Sequence, residues 1–219
     1  MANKRGSSGT RILLIRHGET DWNRIRRFQG RSDLPLNPTG RDQARALALA
    51  LKDETLNAIY SSPLLRAMET VNHIMAFHPS VPVFNEEGLV EMDLGDFEGL
   101  EAQHWAEQYP DFRKTWQKSP ASVKMPGGES LSEVQVRAID TLKRITQAYP
   151  SESTLLLCCH NFVNLTLLCY ALEVPLDRFR EIRQDTAALN ILYMKEKQLK
   201  AEVVNERSHL QRLKEKMTG

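Results

Sequence analysis

Residues 11–23 read Arg-Ile-Leu-Leu-Ile-Arg-His-Gly-Glu-Thr-Asp-Trp-Asn. The four apolar residues at 12–15 are too few for a core helix and suit a short buried strand. The run ends at once on Arg16, His17 and Gly18. Because ligands bind at the carboxyl ends of strands in open α/β sheets, a guanidinium and an imidazole there, followed by a flexible glycine, indicate an anion site. A strand that simply ends in solvated polar residues is the alternative.

Strand and helix patterns alternate through the first 80 residues. Asn37-Pro38 reads as a helix N-cap with proline at the first helical position, and apolar residues at helical spacing predict a helix over 38–52. Residues 58–60 predict a short strand, and Ser61-Ser62-Pro63 is predicted to cap the next helix in the same way. This β-α-β-α order predicts an α/β fold with a parallel sheet and helices on both of its faces.

A second strand also ends abruptly in a histidine. Residues 154–159 form a hydrophobic strand pattern that His160 terminates, and a helix is predicted from about 162 to 172. Arg66 lies in the first turn of the helix after residues 58–60, so the topology brings it to the same sheet edge as His17 and His160. An isolated helical arginine is usually an ordinary surface residue, and only this position favours an anion-binding role.

Further elements complete the predicted sheet and its covering. We expect strands at 81–84, 187–194 and 198–204, with an antiparallel edge, and helical pieces over 100–119 that are broken at Tyr109-Pro110. A turn at 126–130 leads into a helix with an apolar stripe.

Composition limits the classes of protein that remain. The chain has 219 residues, 41% of them hydrophobic, and a formal net charge of +1, which argues against a broad nucleic-acid surface. No run approaches a membrane span and residues 1–10 have no apolar core of a signal peptide, so we predict a cytoplasmic protein. Its three cysteines suit reduced thiols, and no Cys/His spacing indicates a metal site. We expect one domain over 11–210 between flexible tails at 1–10 and 211–219.

The motifs together resemble the histidine phosphatase superfamily, also called the phosphoglycerate mutase-like family. Arg16-His17-Gly18-Glu19-Thr20 with Trp22-Asn23 is similar to its opening signature, and residues 61–67 are similar to the second. Residues 91–99 match the Glu-x-x-x-Gly-x-x-Glu-Gly pattern of its broad phosphatase branch, whose members include α-ribazole phosphatases and metal-independent phosphoserine phosphatases. The resemblance covers roughly residues 11–210 and implies a three-layer α/β/α sandwich around a mostly parallel sheet.

The resemblance also implies a set of catalytic residues. His17 would be the nucleophile that forms a phosphohistidine, while Arg16 and Arg66 bind the phosphoryl group. A protonated His160 would add positive charge, and Glu91 would protonate the leaving oxygen and then activate water. These cations do what a metal does in other phosphatases, so neither metal nor cofactor is implied.

Less specific signals surround these five positions. Candidates for further phosphate or substrate contacts are Asn23, Gln29, Gly30 and Asn161, the last of which stands where the family usually has glycine. The acid is chosen only through the resemblance, because it has local rivals in Glu86, Glu87, Asp93, Asp96 and Glu98. A basic run at Arg24, Arg26, Arg27 and Arg31 either binds a second anionic group of the substrate or is a solvated face.

The predicted function is metal-independent hydrolysis of a phosphomonoester through a phosphohistidine. The expected partner is a small phosphorylated metabolite, with no nucleic acid and no membrane, and the assembly is either a monomer or a homo-oligomer. One alternative is a cofactor-dependent phosphoglycerate mutase, which would need priming by a bisphosphoglycerate. Another is a non-catalytic module that binds phosphorylated ligands, whose mark would be the loss of one of the five positions.

Overall fold

In the computed structural model, which describes residues 9–211, six strands form a single sheet. The strands are β1 (Thr10–Arg16), β2 (Ala58–Ser61), β3 (Val83–Asn85), β4 (Thr154–Cys159), β5 (Leu189–Lys195) and β6 (Gln198–Glu206). They lie in the order β3-β2-β4-β1-β5-β6. The first four are parallel to their neighbours, whereas β5 is antiparallel to both β1 and β6. The mostly parallel sheet with an antiparallel edge is therefore confirmed.

Helices cover both faces of this sheet. They are α1 (Asp21–Arg24), α2 (Pro38–Leu51), α3 (Leu65–Met75), α4 (Ala102–Gln108), α5 (Pro110–Lys118), α6 (Leu131–Gln147) and α7 (Asn161–Ala171). Short 3₁₀ turns lie at Glu87–Leu89, Gly95–Phe97 and Leu176–Glu181. Because side chains alternate along a strand, Leu13 and Ile15 pack with α2 and α3, while Ile12 and Leu14 pack with α6 and α7. Two cores on opposite faces make the predicted three-layer sandwich.

Most predicted elements occur within a residue or two of their expected bounds, and the cap of α3 is the exception. Asn37 caps α2 as predicted, because its side chain accepts a hydrogen bond from the amide of Gly40. The prediction that Ser61-Ser62-Pro63 caps α3 in the same way is wrong. The helix begins two residues after Pro63, and its N-cap is Leu64, which offers no side-chain acceptor.

The segment between β3 and α6 forms the covering over the carboxyl edge of the sheet. It contains the acidic loop, then α4 and α5, which are interrupted at Tyr109-Pro110 as predicted. Aromatic side chains of this segment pack against each other, with Phe97 touching Trp105 and Phe112. The apolar side of this covering segment therefore lies beside the strand ends that carry the two histidines.

The predicted domain limits fall at the ends of the described chain. β1 begins at Thr10, one residue before the predicted start of the domain. The predicted tails at 1–10 and 211–219 otherwise lie almost entirely outside the described residues. Among residues 9–211, no helix is long and apolar enough to cross a membrane.

Candidate active site

The two histidines meet because β1 and β4 are adjacent parallel strands in register. Arg16 pairs with Cys159, so His17 and His160 each follow at the same sheet edge, and the backbone amide of His17 donates to the carbonyl of Cys159 at 3.1 Å. The centroids of the two imidazole rings are 5.1 Å apart, with an interplanar angle of 55°. Both side chains are buried, at 2% and 0% exposure.

A backbone contact fixes the tautomer of His17. Its Nδ1 lies 2.7 Å from the carbonyl oxygen of Gly18, and because a carbonyl can only accept, Nδ1 carries the proton. Nε2 is then the nitrogen with the lone pair. Burial, together with the positive charges of Arg66 and Arg16, lowers the pKa of His17 well below its ordinary value and keeps the ring neutral. A neutral imidazole with a free Nε2 lone pair is a competent nucleophile.

His160 has the opposite tautomer. Nε of Arg66 donates to its Nδ1 at 3.2 Å, so Nδ1 is unprotonated and Nε2 carries the proton. Burial and the charge of Arg66 lower the pKa of His160 well below its ordinary value. The ring is therefore a neutral N–H donor. Its Nε2 has no hydrogen-bond partner among the described residues.

Arg66 is a buried cation in the first turn of α3. Its exposure is 1%, and its two Nη atoms donate to the carbonyls of Ser32 and Gly30, each at 2.8 Å. Burial lowers the pKa of Arg66 to about 10, which leaves the side chain charged at neutral pH. Since a guanidinium has five N–H groups and three are used, two remain for an anion.

Arg16 supplies a second cation from the end of β1. Nη1 donates to the backbone carbonyl of Gln184 at 2.6 Å, while its buried Nε has no partner within residues 9–211. Burial lowers its pKa, and Glu91 nearby favours the charged form. The bond from Nη1 holds the guanidinium in place, while the unused Nε can donate to a further acceptor such as an anion.

Glu91 joins this cluster at the start of α7. Its carboxylate accepts from the backbone amide of Phe162 at 3.1 and 3.2 Å, and from that of Met92 at 2.9 Å. The side chain is 7% exposed, and burial raises its pKa above the ordinary value. A buried carboxyl group whose pKa is raised, and which lies beside two histidines and two arginines, is a candidate general acid.

The rival acids have other partners or lie in solvent. Glu98 accepts from the amides of Arg31 and Ser32, Glu86 pairs with Arg144 at 2.7 Å, and Asp93 caps the turn at Gly95. Glu87 and Asp96 are exposed, and Glu91 is the one buried acid of this loop.

The secondary candidates hold the first loop together. The carboxamide oxygen of Asn23 accepts from Thr20 as part of a capping box, and that of Gln29 accepts from the Thr20 hydroxyl at 2.9 Å. Gly30 offers its carbonyl to Arg66 at a φ of +49°. Asn161 begins α7 directly after His160.

The basic run is divided between solvent and ion pairs. Arg24 and Arg26 are exposed, and Arg24 pairs only with its neighbour Asp21. Arg27 pairs with Glu101 at 2.8 Å, and Arg31 lies 3.4 Å from both Asp93 and Glu129. No contact links these four side chains to the two histidines in the described residues, so their role in binding substrate stays a prediction.

Sequence reasoning missed the residues that support the cluster. Thr70 accepts from the amide of Gly18 at 3.1 Å and donates to the carbonyl of Arg66 at 2.8 Å within α3, so it links the loop after β1 to that helix. Arg137 donates to the carbonyls of Gly88 and Glu91 from helix α6. The chain offered no local signal for either, since both are ordinary helical residues in amphipathic stretches.

Two facing imidazoles beside buried guanidinium groups form an arrangement that suits phosphoryl transfer. The protein is a phosphatase. It belongs to the histidine phosphatase superfamily, because the model of that superfamily (branch 1) matches residues 12–207. The confirmed family bears out the resemblance in the sequence motifs.

Relatives of known description cover most of the chain. It is 32% identical over 187 residues to phosphoserine phosphatase 1 of Hydrogenobacter thermophilus, spanning 85% of this chain and 88% of that one. It is 36% identical over 148 residues to a metal-independent phosphoserine phosphatase of Arabidopsis thaliana, spanning 67% and 62%. Among solved structures, YhfR of Bacillus stearothermophilus superposes with a TM-score of 0.86 at 30% identity, over 92% of this chain and 99% of that one.

Proposed function

We propose that this phosphatase hydrolyses a small phosphorylated metabolite through a phosphohistidine on His17, without a metal. One observation carries the proposal: the proton of His17 is fixed on Nδ1 by the carbonyl of Gly18, so Nε2 is free to attack. The neighbouring cations hold the ring neutral and are placed to bind the dianion.

The first step transfers the phosphoryl group to the protein. Nε2 of His17 attacks phosphorus, the P–N bond forms, and the bond between phosphorus and the ester oxygen breaks. Arg16, Arg66 and the Nε2 proton of His160 donate to the three phosphoryl oxygens, where negative charge is concentrated. A neutral His160 can donate this hydrogen bond without the desolvation penalty of a third buried positive charge.

Glu91 completes both steps as the proton carrier. Its raised pKa favours the protonated carboxyl that gives its proton to the leaving alkoxide. The resulting carboxylate then takes a proton from water, which attacks phosphorus, releases phosphate and restores His17. The amide of Phe162 stabilises the carboxylate between the two steps.

Metal independence is supported by the charge already present. Two arginines within one cluster supply the positive field instead. The metal-independent Arabidopsis relative is consistent with this reading.

A rapid-quench experiment tests the proposal. A ³²P-labelled phosphomonoester is mixed with the protein in excess EDTA and quenched in alkaline denaturant, because phosphohistidine hydrolyses in acid. We expect label on the peptide that contains His17, its loss in His17→Ala, and its retention in the control His104→Asn, since His104 is exposed on α4. Label on His160, or turnover abolished by EDTA and restored by Mg²⁺, contradicts the proposal. A requirement for bisphosphoglycerate would identify a mutase instead.

A further inference from the structure

An aromatic cavity of about 340 Å³ adjoins the candidate active site. Its wall contains six aromatic side chains, Phe28, Phe97, Trp105, Trp116, Phe162 and Phe179. Within residues 9–211, no aspartate or glutamate lines it. A small polar alcohol such as serine would leave such a surface uncovered, so the lining points to a larger apolar leaving group.

Asn161 and Phe162 connect the cavity to the histidine cluster. Phe162 lines the cavity with its side chain, while its amide donates to the Glu91 carboxylate. Asn161, which directly follows His160, lines the same wall. Under the proposed function Glu91 protonates the leaving oxygen, so whatever is bonded to that oxygen begins beside Glu91 and extends toward this cavity.

The wall of the cavity is already ordered by contacts among its own rings. Phe162, Trp116 and Phe179 form a triangle with centroid separations of 6.0 to 6.5 Å. Phe28 and Phe97 each contact Trp105 nearly edge to face. Rings held in this way offer flat faces and edges to a planar guest without a large ordering cost.

Two cations line this cavity beside its aromatic rings and the amides of Gln117 and Asn161. Arg113 and Arg180 line it, both are exposed, and neither forms an ion pair with a carboxylate in residues 9–211. The guanidinium of Arg180 lies 4.5 Å from the ring centroid of Phe179 and 5.7 Å from that of Trp116. Nη2 of Arg180 donates to the carbonyl of Trp116 at 3.5 Å, and its other N–H groups remain for a carboxylate or similar acceptor.

We propose that the natural substrate is a phosphate ester of an alcohol that bears an aromatic ring or comparable flat apolar body with an acidic substituent. The ring lies in the cavity and the acidic group contacts Arg113 and Arg180. This inference rests on the proposed function, because it assigns the cavity to the leaving group of that reaction.

Matched esters of primary alcohols test the ring. We would compare ethyl, benzyl and 2-naphthylmethyl phosphate with O-phosphoserine, so that bond cleavage is of similar difficulty throughout. The expected order of kcat/KM rises with ring size, with 2-naphthylmethyl phosphate at least about tenfold above ethyl phosphate. Equal values, or a preference for O-phosphoserine, would overturn the inference while leaving a working phosphatase. Hydrolysis of none of the esters would instead refute the proposed function.

Charge variants test the acidic substituent. The readout is the ratio of kcat/KM for 6-carboxy-2-naphthylmethyl phosphate to that for the uncarboxylated ester. We expect a ratio above one for the parent that falls severalfold in the double variant Arg113→Gln/Arg180→Gln. Lys114→Gln and Arg178→Gln are matched controls, since these exposed cations are neighbours in sequence that do not line the cavity. A ratio that is unchanged in the double variant contradicts the assignment of the acidic group. In Phe162→Ala, the ratio of naphthylmethyl to ethyl phosphate should fall toward one.

Discussion

Nη2 of Arg137 donates to the backbone carbonyl of Glu91 at 3.1 Å. The same guanidinium donates to the carbonyl of Gly88 at 3.0 Å and holds both carboxylate oxygens of Glu129, at 2.9 and 3.0 Å. Arg137 of α6 therefore holds in place, through hydrogen bonds, the loop that carries the candidate general acid. Arg137 is a positioning residue in this arrangement, because it acts through the backbone of Glu91.

Removing these hydrogen bonds should lower kcat more than it changes KM. For Arg137→Gln we expect kcat to fall by roughly ten- to a hundredfold, because small displacements of a catalytic group are costly. KM should change little. The loss should be larger for alkyl phosphates than for p-nitrophenyl phosphate, whose leaving group needs less protonation. Steady-state kinetics on both substrates measures this.

Arg144→Gln is the matched control for Arg137. Arg144 lies on the same helix and pairs with Glu86 of the same loop, yet it makes no contact with Glu91 in the described residues. Its kinetics should equal those of the parent. An equal loss in both variants would mean that general destabilisation of the loop, rather than the position of Glu91, sets the rate.

Replacement of the acid itself should depend on the leaving group. Glu91→Gln keeps the size of the side chain but cannot donate a carboxyl proton. We expect kcat/KM to drop far more for ethyl phosphate than for p-nitrophenyl phosphate, as general acid catalysis contributes about 10²–10⁴-fold where it is needed. Equal damage to both esters would show that Glu91 only shapes the loop, and Glu98→Gln should then be compared.

In the pH profile of kcat/KM, the acidic limb should lie below the ordinary pKa of histidine and the basic limb above the ordinary pKa of glutamate. His17 must be neutral to attack, and its pKa is lowered, so activity should persist below pH 6.5 and be lost only as the pH falls through that lowered pKa. Glu91 must be protonated, and its pKa is raised, so activity should be lost as the pH rises through it. The profile of kcat/KM in Glu91→Gln should lack this basic limb, whereas ionisation of the substrate is common to both profiles. An unchanged basic limb would assign it to another group.

A side chain at Gly30 should displace the carboxylate of Glu98 and strain the left-handed backbone at this position. With φ at +49°, a Cβ would lie 2.0 Å from Oε1 of Glu98, whose carboxylate anchors the loop that accepts from Arg66. We expect Gly30→Ala to lose activity and about 1–3 kcal/mol of unfolding free energy. Gly99→Ala is the control: its φ is +81°, but a Cβ there meets only the edge of Trp22 at 3.6 Å. Similar activity in the two variants would refute the role of the Glu98 contact.

Much of the fold was predictable because the ends of its two central strands can be recognised in the sequence. The apolar runs before His17 and His160 are short and stop on polar residues, so both strand ends and their shared sheet edge followed from the sequence alone. The cap of α3 did not, since Ser-Ser-Pro looks like a cap while the helix begins only after Leu64. The hydroxyl of Ser62 accepts from the amide of Leu64, and the first amide of the helix, that of Leu65, donates instead to Oδ1 of Asp33, a residue distant in sequence.

The choice among the acids needed information that local sequence lacks. Glu91 and Glu98 are both acidic residues of one loop, and only their long-range partners separate them. One meets the start of α7 and the other meets Arg31 and Ser32. The tautomer of His160 could not be predicted for the same reason, because the donor that fixes it comes from a distant helix.

The register between β1 and β4 has a consequence for how the protein is made. His17 emerges from the ribosome early, in the first strand, whereas its facing partner arrives with the fourth strand and is followed by the two strands that close the sheet. Nascent chains that end before residue 160 contain His17 but lack His160 and α7, which binds Glu91. Contacts so distant in sequence form late in folding. On the proposed mechanism, we therefore expect such a truncated chain to hydrolyse no phosphate ester.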